Sequence, residues 1–328
     1  MISRNCQLFI LLFLSQMKVL VTGAAGFIGS HTAERLKTMG HSVVAVDNFS
    51  PYYDVSVKQR NAAELAQQGI TVQNIDLREG KLEETLPTDV EYIFHFAAQP
   101  GISQKSSFED YLTNNIIATQ RLLQYTQHCS GFKYFVNIAT SSIYGLVATF
   151  PEDAAPKPAS YYGVTKLAAE QLVLAYERDG LLKGCSFRLY SVYGPRERPD
   201  KLYTKLIQCG LEGTAFPLFE GSEKHLRSFT YVQDIVDGIV AVFGKEETCS
   251  GEVINLGTET ESTTAAGIAT VESILGSKIA MDIQPPRPGD QSRTCANIDK
   301  AKELLNYNPQ TTLREGLEAQ VEWVRSSH

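Results

Sequence analysis

The stretch KVLVTGAAGFIGS, which opens at Lys18, runs an apolar segment of strand length into a helix-period segment through a turn holding Gly23, Gly26 and Gly29. Glycines so placed permit a tight turn and close backbone approach, so that a pyrophosphate can rest at the positive end of the following helix. The next strand-like run, SVVAVDN, ends in Asp47 about one βαβ unit later. A carboxylate there accepts from an adenosine ribose 2′-hydroxyl and repels a 2′-phosphate, which selects NAD over NADP.

The alternation continues. TVQNIDLRE, VEYIFHFAAQPG, KYFVNIATSSIYG and GCSFRLYSVYGP read as buried strands, with helical patterns such as NNIIATQRLLQYTQHC between them. Strands alternating with helices define an α/β fold, a Rossmann-type doubly wound parallel sheet. Ligands of such sheets bind beyond the carboxyl ends of the strands. That rule gathers Asp76, Leu77, Ala97, Ala98 and the hydroxyl-rich Thr140, Ser141 and Ser142 around one crevice. A further helix opens with SYYGVTK, in which Tyr162 and Lys166 stand four residues apart and share one face. A neighbouring ammonium favours a phenolate, and a phenol so tuned can exchange protons near working pH.

Composition narrows the class. The chain has 328 residues, 43% hydrophobic and 20% charged, which suits one large or two intimately packed globular domains. A net charge of -7 argues against non-specific nucleic-acid or acidic-membrane binding. The six cysteines, from Cys6 to Cys295, and the six histidines show neither disulfide nor metal spacing, so no structural metal is expected. The first 16 residues, MISRNCQLFILLFLSQ, carry an apolar run from Leu8 to Leu14 that is shorter than the ~20 residues of a membrane span. No small-residue cleavage site follows it, and Met17 directly precedes the first strand. We read residues 1–16 as an upstream extension with Met17 the natural initiator; the competing reading is a short export or membrane signal.

GAAGFIG, DNF, DLR, HFAAQ, ATSSIYG, YGVTK, FRLYSVYGPRERPD, RSFTYVQDIVDGI and RPGD occur in an order that resembles the extended short-chain dehydrogenase/reductases, and more narrowly the NAD-dependent UDP-sugar 4-epimerases. The resemblance runs from about Met17 to the C-terminal LREGLEAQVEWV. It implies that Tyr162 is the general base, that Lys166 lowers its pKa and holds the nicotinamide ribose, and that Thr140 bridges the sugar O4 and the phenol. Phe27, Ile28, Gly29, Asn48 and Gln99 join Gly23, Gly26, Asp47, Asp76, Leu77, Ala97 and Ala98 as the implied NAD site, with Asn115 near the active centre. Arg227 and Arg287 match diphosphate-binding arginines, Asp290 lies near the nucleoside, and Arg196 and Arg198 are placed to meet the sugar or its phosphates.

The implied activity is inversion of C4 of a UDP-hexose (UDP-N-acetylglucosamine, UDP-glucuronate or UDP-glucose) through a 4-keto intermediate. Related 4,6-dehydratases and decarboxylases typically place an acid where this chain has Ser142, which disfavours both. A keto-sugar reductase or an NAD-binding regulatory protein would also use this fold, and the joint presence of Thr140, Tyr162 and Lys166 speaks against the regulatory protein. Thr294 occupies the position of a bulky gatekeeper in glucose-specific relatives, and Ser191 is a candidate for a uronate carboxylate. The expected organisation is an NAD domain over residues 17–185 and a smaller α/β nucleotide-sugar domain over 186–328, with parts of about 228–257 returning to the first. Apolar faces in NNIIATQRLLQYTQ and KLAAEQLVLAYERD resemble the family's intersubunit four-helix bundle and imply a homodimer, in the cytoplasm.

Overall fold

A computed structural model of the chain describes residues 16–103, 106–286 and 291–326. Seven strands form one fully parallel sheet: β1 (Lys18–Thr22), β2 (Ser42–Asp47), β3 (Val72–Asn74), β4 (Tyr92–His95), β5 (Tyr134–Thr140), β6 (Gly184–Leu189) and β7 (Val253–Leu256). Their spatial order is β3-β2-β1-β4-β5-β6-β7. The direction of winding reverses between β1 and β4, the switch point beyond which ligands bind in such sheets.

The central strands are apolar throughout because both faces are covered. Val19 and Val21 of β1 point into one core, and Leu20 between them points into the other. The first core takes Ala33 and Leu36 from α1 (Phe27–Thr38), which is followed in the chain by α2 (Val55–Gln67). The second core is closed by Leu122 and Leu123 of α3 (Ala118–Thr126) and Val173 of α4 (Tyr161–Arg178). A third core gathers three helices of the second half, α5 (Leu202–Glu212), α7 (Thr264–Leu275) and α8 (Leu313–Ser326), around Tyr203, Leu206, Val271, Leu317 and Val321. Between these, α6 (Val232–Val240) sends Val232, Ile235, Val236 and Ile239 back into the first core.

The chain crosses the expected division near Cys185 in both directions. β7 comes from the second half yet pairs with β6. Conversely, Val147–Ala148 of the first half pairs with Arg293–Thr294 in a small sheet that also holds Leu226–Arg227 and Ser262–Thr263. Two regular readings also break locally. The helix expected through NNIIATQ begins as a π-helical turn over Leu112–Ile117 before α3, and the strand expected through GCSFRLYSVY ends at Leu189, Val192–Tyr193 pairing instead with Thr230–Tyr231.

Helix α4 is fastened to β6 by a buried ion pair: Arg188 Nη2 lies 2.7 Å from Glu170 Oε1, with side chains 3% and 0% exposed. Arg188 Nε donates to Glu170 Oε2 at 3.0 Å, and the guanidinium lies 4.8 Å from the centre of the Tyr144 ring. Removing one member leaves the other charge buried and unpaired. Arg188→Met is expected to lower unfolding free energy by about 3–5 kcal/mol, read from urea unfolding, whereas an exposed control such as Lys81→Met moves it by about 0.5 kcal/mol or less.

Candidate active site

A cavity of about 850 Å³ lies along the carboxyl ends of the strands and reaches into the second half of the chain. Its first wall is the glycine turn. Gly23 has φ +69°, and a Cβ there would stand 2.8 Å from Ala97 N, while one on Gly29 would stand 2.3 Å from Gly23 O. These contacts admit only glycine and bring the start of α1 onto the end of β1. Gly26 caps the helix without a side chain, so the first-turn amides at Phe27 and Ile28, both on the wall, have neither intrahelical nor side-chain acceptors. Such a cradle fits a dinucleotide diphosphate.

Asp47 ends β2 at the wall, 5% exposed. It accepts from Ala25 N at 3.2 Å and from Phe49 N at 2.8 Å, and Lys58 Nζ is 3.3 Å away. Asn48 donates to Asp76 at 3.0 Å, and the Arg78 hydrogen bonds beside Asp76 hold its carboxyl well below the usual range. Leu77, Ala97, Ala98 and Gln99 complete this side. Asn115 does not reach the wall. It sits in the π-helical turn, accepts from Gln99 N at 2.7 Å and donates to Thr165 Oγ1 at 2.9 Å, so it ties the end of β4 to α4. Expected among the cofactor-binding residues, Asn115 instead has both ends of its amide bonded to protein.

The reacting end is built by α4 and β5. Ser160 caps α4 by accepting from Gly163 N at 3.1 Å, which fixes the first turn carrying Tyr162. Burial raises the Tyr162 pKa above its ordinary value, and the Thr140 hydroxyl, the Arg198 guanidinium and the Gly101 amide pull it back. Arg198, more than Lys166, supplies the leading charge. Burial lowers the Lys166 pKa to about 8, partly opposed by Glu170 one turn further on. Ser141, Ser142 and Ser191 also line this end, and Thr140 Oγ1 accepts from Ser142 N at 3.2 Å.

Sequence reasoning passed over His95, at the end of β4. Burial, then the nearby Lys166 charge, lowers its pKa to about 3, so it is neutral. Thr119 donates its only proton to Asn115 O at 2.6 Å and must therefore accept from His95 Nε2 at 2.9 Å. His95 Nδ1 is then the acceptor for Thr22 Oγ1 at 2.8 Å, and Thr22 Oγ1 accepts from Ala97 N at 3.2 Å. The ring thus locks the peptide at Ala97 against the glycine turn. Its position in HFAA, at a strand end, was the available signal. Tyr52 and Tyr53 also line the cavity, beneath Arg198 and Lys58 respectively.

The candidate arginines separate. Arg198 and Arg227 line the cavity, and Arg227 Nη2 donates to Gln291 O at 2.7 Å. Arg196, expected at the sugar or its phosphates, turns away. With φ +68° it sends its guanidinium to Glu34, Glu64 and Ser30, at 2.8, 2.6 and 3.3 Å, so it staples the second half of the chain to α1 and α2. Thr294, expected as a gate, is 1% exposed in a strand between Arg227 and Ala148 and is not on the cavity wall. Arg287 and Asp290 lie outside the described residues.

Sheet, glycine cradle and a Tyr-Lys pair at the carboxyl ends of the strands define a dinucleotide-dependent enzyme of the short-chain dehydrogenase/reductase class. The chain belongs to the NAD dependent epimerase/dehydratase family, whose model matches residues 19–257. It is 38% identical over 315 residues to an uncharacterized UDP-glucose epimerase, YtcB, of Bacillus subtilis, spanning 94% of this chain and 98% of that one. It is 34% identical over 327 residues to UDP-glucuronate 4-epimerase 3 of Arabidopsis thaliana, spanning 93% of this chain and 76% of that one. The crystal structure of UDP-glucuronic acid 4-epimerase from Bacillus cereus, in complex with UDP-glucuronic acid and NAD, superposes with a TM-score of 0.89 and 36% identity, covering 95% of this chain and all of that one.

A buried lysine opposes folding while it is charged. Its folded pKa, about 8, lies below the ordinary 10.5, so the unfolded chain binds more protons between those values and stability rises with pH across them. At neutral pH the penalty is about 3 kcal/mol. Lys166→Met is expected to raise the thermal midpoint of the cofactor-free protein below pH 8 and to lose that advantage towards pH 10.5, while abolishing turnover; scanning calorimetry across that range checks the sign.

Proposed function

We propose that the protein is an NAD-dependent UDP-sugar 4-epimerase with Tyr162 as general base. The observation that carries the reading is that Thr140, Tyr162 and Lys166 line the same cavity as the glycine cradle. Bound NAD supplies reversible oxidation at C4 of the sugar, a carbon with no acidic proton. Thr140 orients O4, and Tyr162 accepts its proton and returns it once the 4-keto sugar has presented its other face. Lys166 keeps positive charge beside the base and meets the nicotinamide ribose. Phe27 and Ile28 amides hold the cofactor diphosphate, and Asp47 takes the adenosine ribose. Arg227, with Arg287 and Asp290 as further candidates, anchors the nucleotide of the substrate.

The dehydratase and decarboxylase readings need an acid where Ser142 stands, and a hydroxyl cannot perform that step. Among sugars, UDP-glucuronate is the first choice. Its support is the relatives named for it and the hydroxyls of Ser141, Ser142 and Ser191, which suit a uronate carboxylate. Five described cysteines are free thiols, as a reducing cytoplasm leaves them. No described helix is long and apolar enough to cross a membrane.

Proton NMR of the protein with UDP-glucuronate, UDP-N-acetylglucosamine and UDP-glucose is expected to show a C4-inverted product from at least one. A 4-keto-6-deoxy or pentose product would move the protein to the rival classes. Tyr162→Phe is expected to lower kcat by about 10²–10⁴-fold, and parental turnover in that variant would refute the assignment.

A homodimer belongs to the same reading. Phe108, Ile117, Tyr161 and Val164 are 45%, 41%, 60% and 44% exposed, and the Phe108 and Tyr161 rings meet edge to face at 5.3 Å. Contiguous exposed apolar side chains of this kind favour burial against a second copy. Light scattering is expected to give twice the 36.2 kDa chain mass, falling to one chain in Phe108→Glu/Val164→Glu; a monomeric parent would overturn it.

A further inference from the structure

Three short strands of the small sheet run side by side in parallel: Val147–Ala148, then Arg293–Thr294, then Leu226–Arg227. Two residues before the central strand stands Gln291, which makes one contact to each side. Its Nε2 donates to Gly145 O at 2.6 Å, and its own carbonyl accepts from Arg227 Nη2 at 2.7 Å. A carbonyl oxygen can only accept, so the amide nitrogen of Gln291, and not its oxygen, must face Gly145. The two bonds tie residue 291 to segments 146 and 64 residues earlier in the chain.

Both neighbours belong to the substrate end of the cavity. Gly145 closes the turn Ser141–Tyr144, donating its N–H to Ser142 O at 3.3 Å with φ +95°. A Cβ on Gly145 would collide with Lys157 O, and Lys157 N donates to Ile143 O at 2.9 Å, so the turn is also packed from outside. Ser141 and Ser142 on this turn line the cavity, and so do Arg227 and Gln291. Beyond residue 291, Leu226 N donates to Ser292 O at 3.1 Å. The carbonyl that takes Arg227 is therefore held between a strand contact and the Gln291 side chain. A guanidinium recognises phosphate oxygens through a planar fork, and that fork serves only in the orientation its neighbours set.

We propose that Gln291 is a positioning residue for the substrate: bonded to Gly145 by its side chain and to Arg227 by its carbonyl, it sets the spacing between the phosphate-facing arginine and the turn whose hydroxyls face the sugar. The inference rests on the reading of Arg227 as an anchor of the substrate nucleotide. A nucleotide sugar spans both places at once, so its phosphates and its sugar are satisfied together only while that spacing holds.

Calorimetric binding of UDP, which carries the phosphates without the sugar, tests this on the NAD-loaded protein with no turnover. Gln291→Met keeps the length of a half-buried side chain and removes its donor. It is expected to weaken UDP binding about three- to tenfold, and Arg227→Met about 10- to 100-fold. Because Gln291 acts through Arg227, adding Gln291→Met to Arg227→Met is expected to change the affinity by about twofold or less. The same loss from Gln291→Met in both backgrounds would mean that Gln291 meets UDP itself or only supports the fold, and would overturn the proposal. So would an unchanged affinity in the single variant. Gln291→Glu, which sets a carboxylate against Gly145 O, is expected to lose more than Gln291→Met, and parental UDP binding in it would also overturn the proposal. If the parent binds UDP and epimerises none of the sugars, the wider reading falls and the affinity cycle still decides this one. A parent that binds no UDP removes the role of Arg227 and this inference with it.

Discussion

Glu170 and Arg188 meet where α4 lies against β6, both out of contact with solvent, and among the described residues no carboxylate is more deeply placed. Tyr162, Lys166 and Glu170 follow one another at four-residue steps along α4, so the anchor, the buried ammonium and the phenol share a stripe of one helix. The ion pair takes two charges out of water and is weak as a source of stability. What it specifies is rotation and depth. A turn of α4 about its own axis, or a slip along β6, would break this bidentate contact. Asn137 and Ser186 continue the network across the sheet, Asn137 Nδ2 donating to Ser186 Oγ at 2.8 Å. The position of Lys166 on the cavity wall is therefore set by contacts between α4 and the sheet face it packs on.

Parallel strands impose the other half of the design. The parallel strands end on the same edge, and four of them place a group there: the glycine turn after β1, Asp47 on β2, His95 on β4 and Thr140 on β5. The helices that follow return the chain to the opposite edge, so none of these groups has to compete with a neighbour for space. Gly23 is the exception, since its backbone touches Ala97 across the switch point. The neutral His95 ring and the Thr22 hydroxyl pin that contact, which joins the two halves of the sheet where the cofactor would cross them.

Much of this is legible in the chain. Buried parallel strands announce themselves as apolar runs, and the glycine triplet, Asp47 and the Tyr-Lys step lie in local sequence where spacing alone relates them. What escapes such a reading is decided by tertiary direction. Arg196 and Arg198 are two residues apart in one motif and read as equivalent, but a single positive φ turns the first towards Glu34 and Glu64 and leaves the second facing the cavity. Thr294 draws its expected role from its place in a pattern, and two flanking strands bury it. Arg198 Nη1 donates to Pro100 O at 3.3 Å, and no local spacing carries a contact of that reach. The Pro-Gly pair at Pro100 marks a turn, without saying which side chains hold it.

The two ends of the cavity differ in the kind of contact they offer. At the cofactor end the donors and acceptors are backbone amides and carboxylates fixed by short hydrogen bonds. At the reacting end the hydroxyls of Thr140, Ser141, Ser142 and Ser191 stand beside the Tyr162 phenol and the charges of Lys166 and Arg198. Charged hydrogen bonds are strong and directional, whereas a hydroxyl donates or accepts as needed and gives up either at small cost. A sugar that must present both faces of C4 to one base has to leave and remake its contacts without leaving the protein. Hydroxyls allow that exchange, provided the nucleotide is held elsewhere by charge.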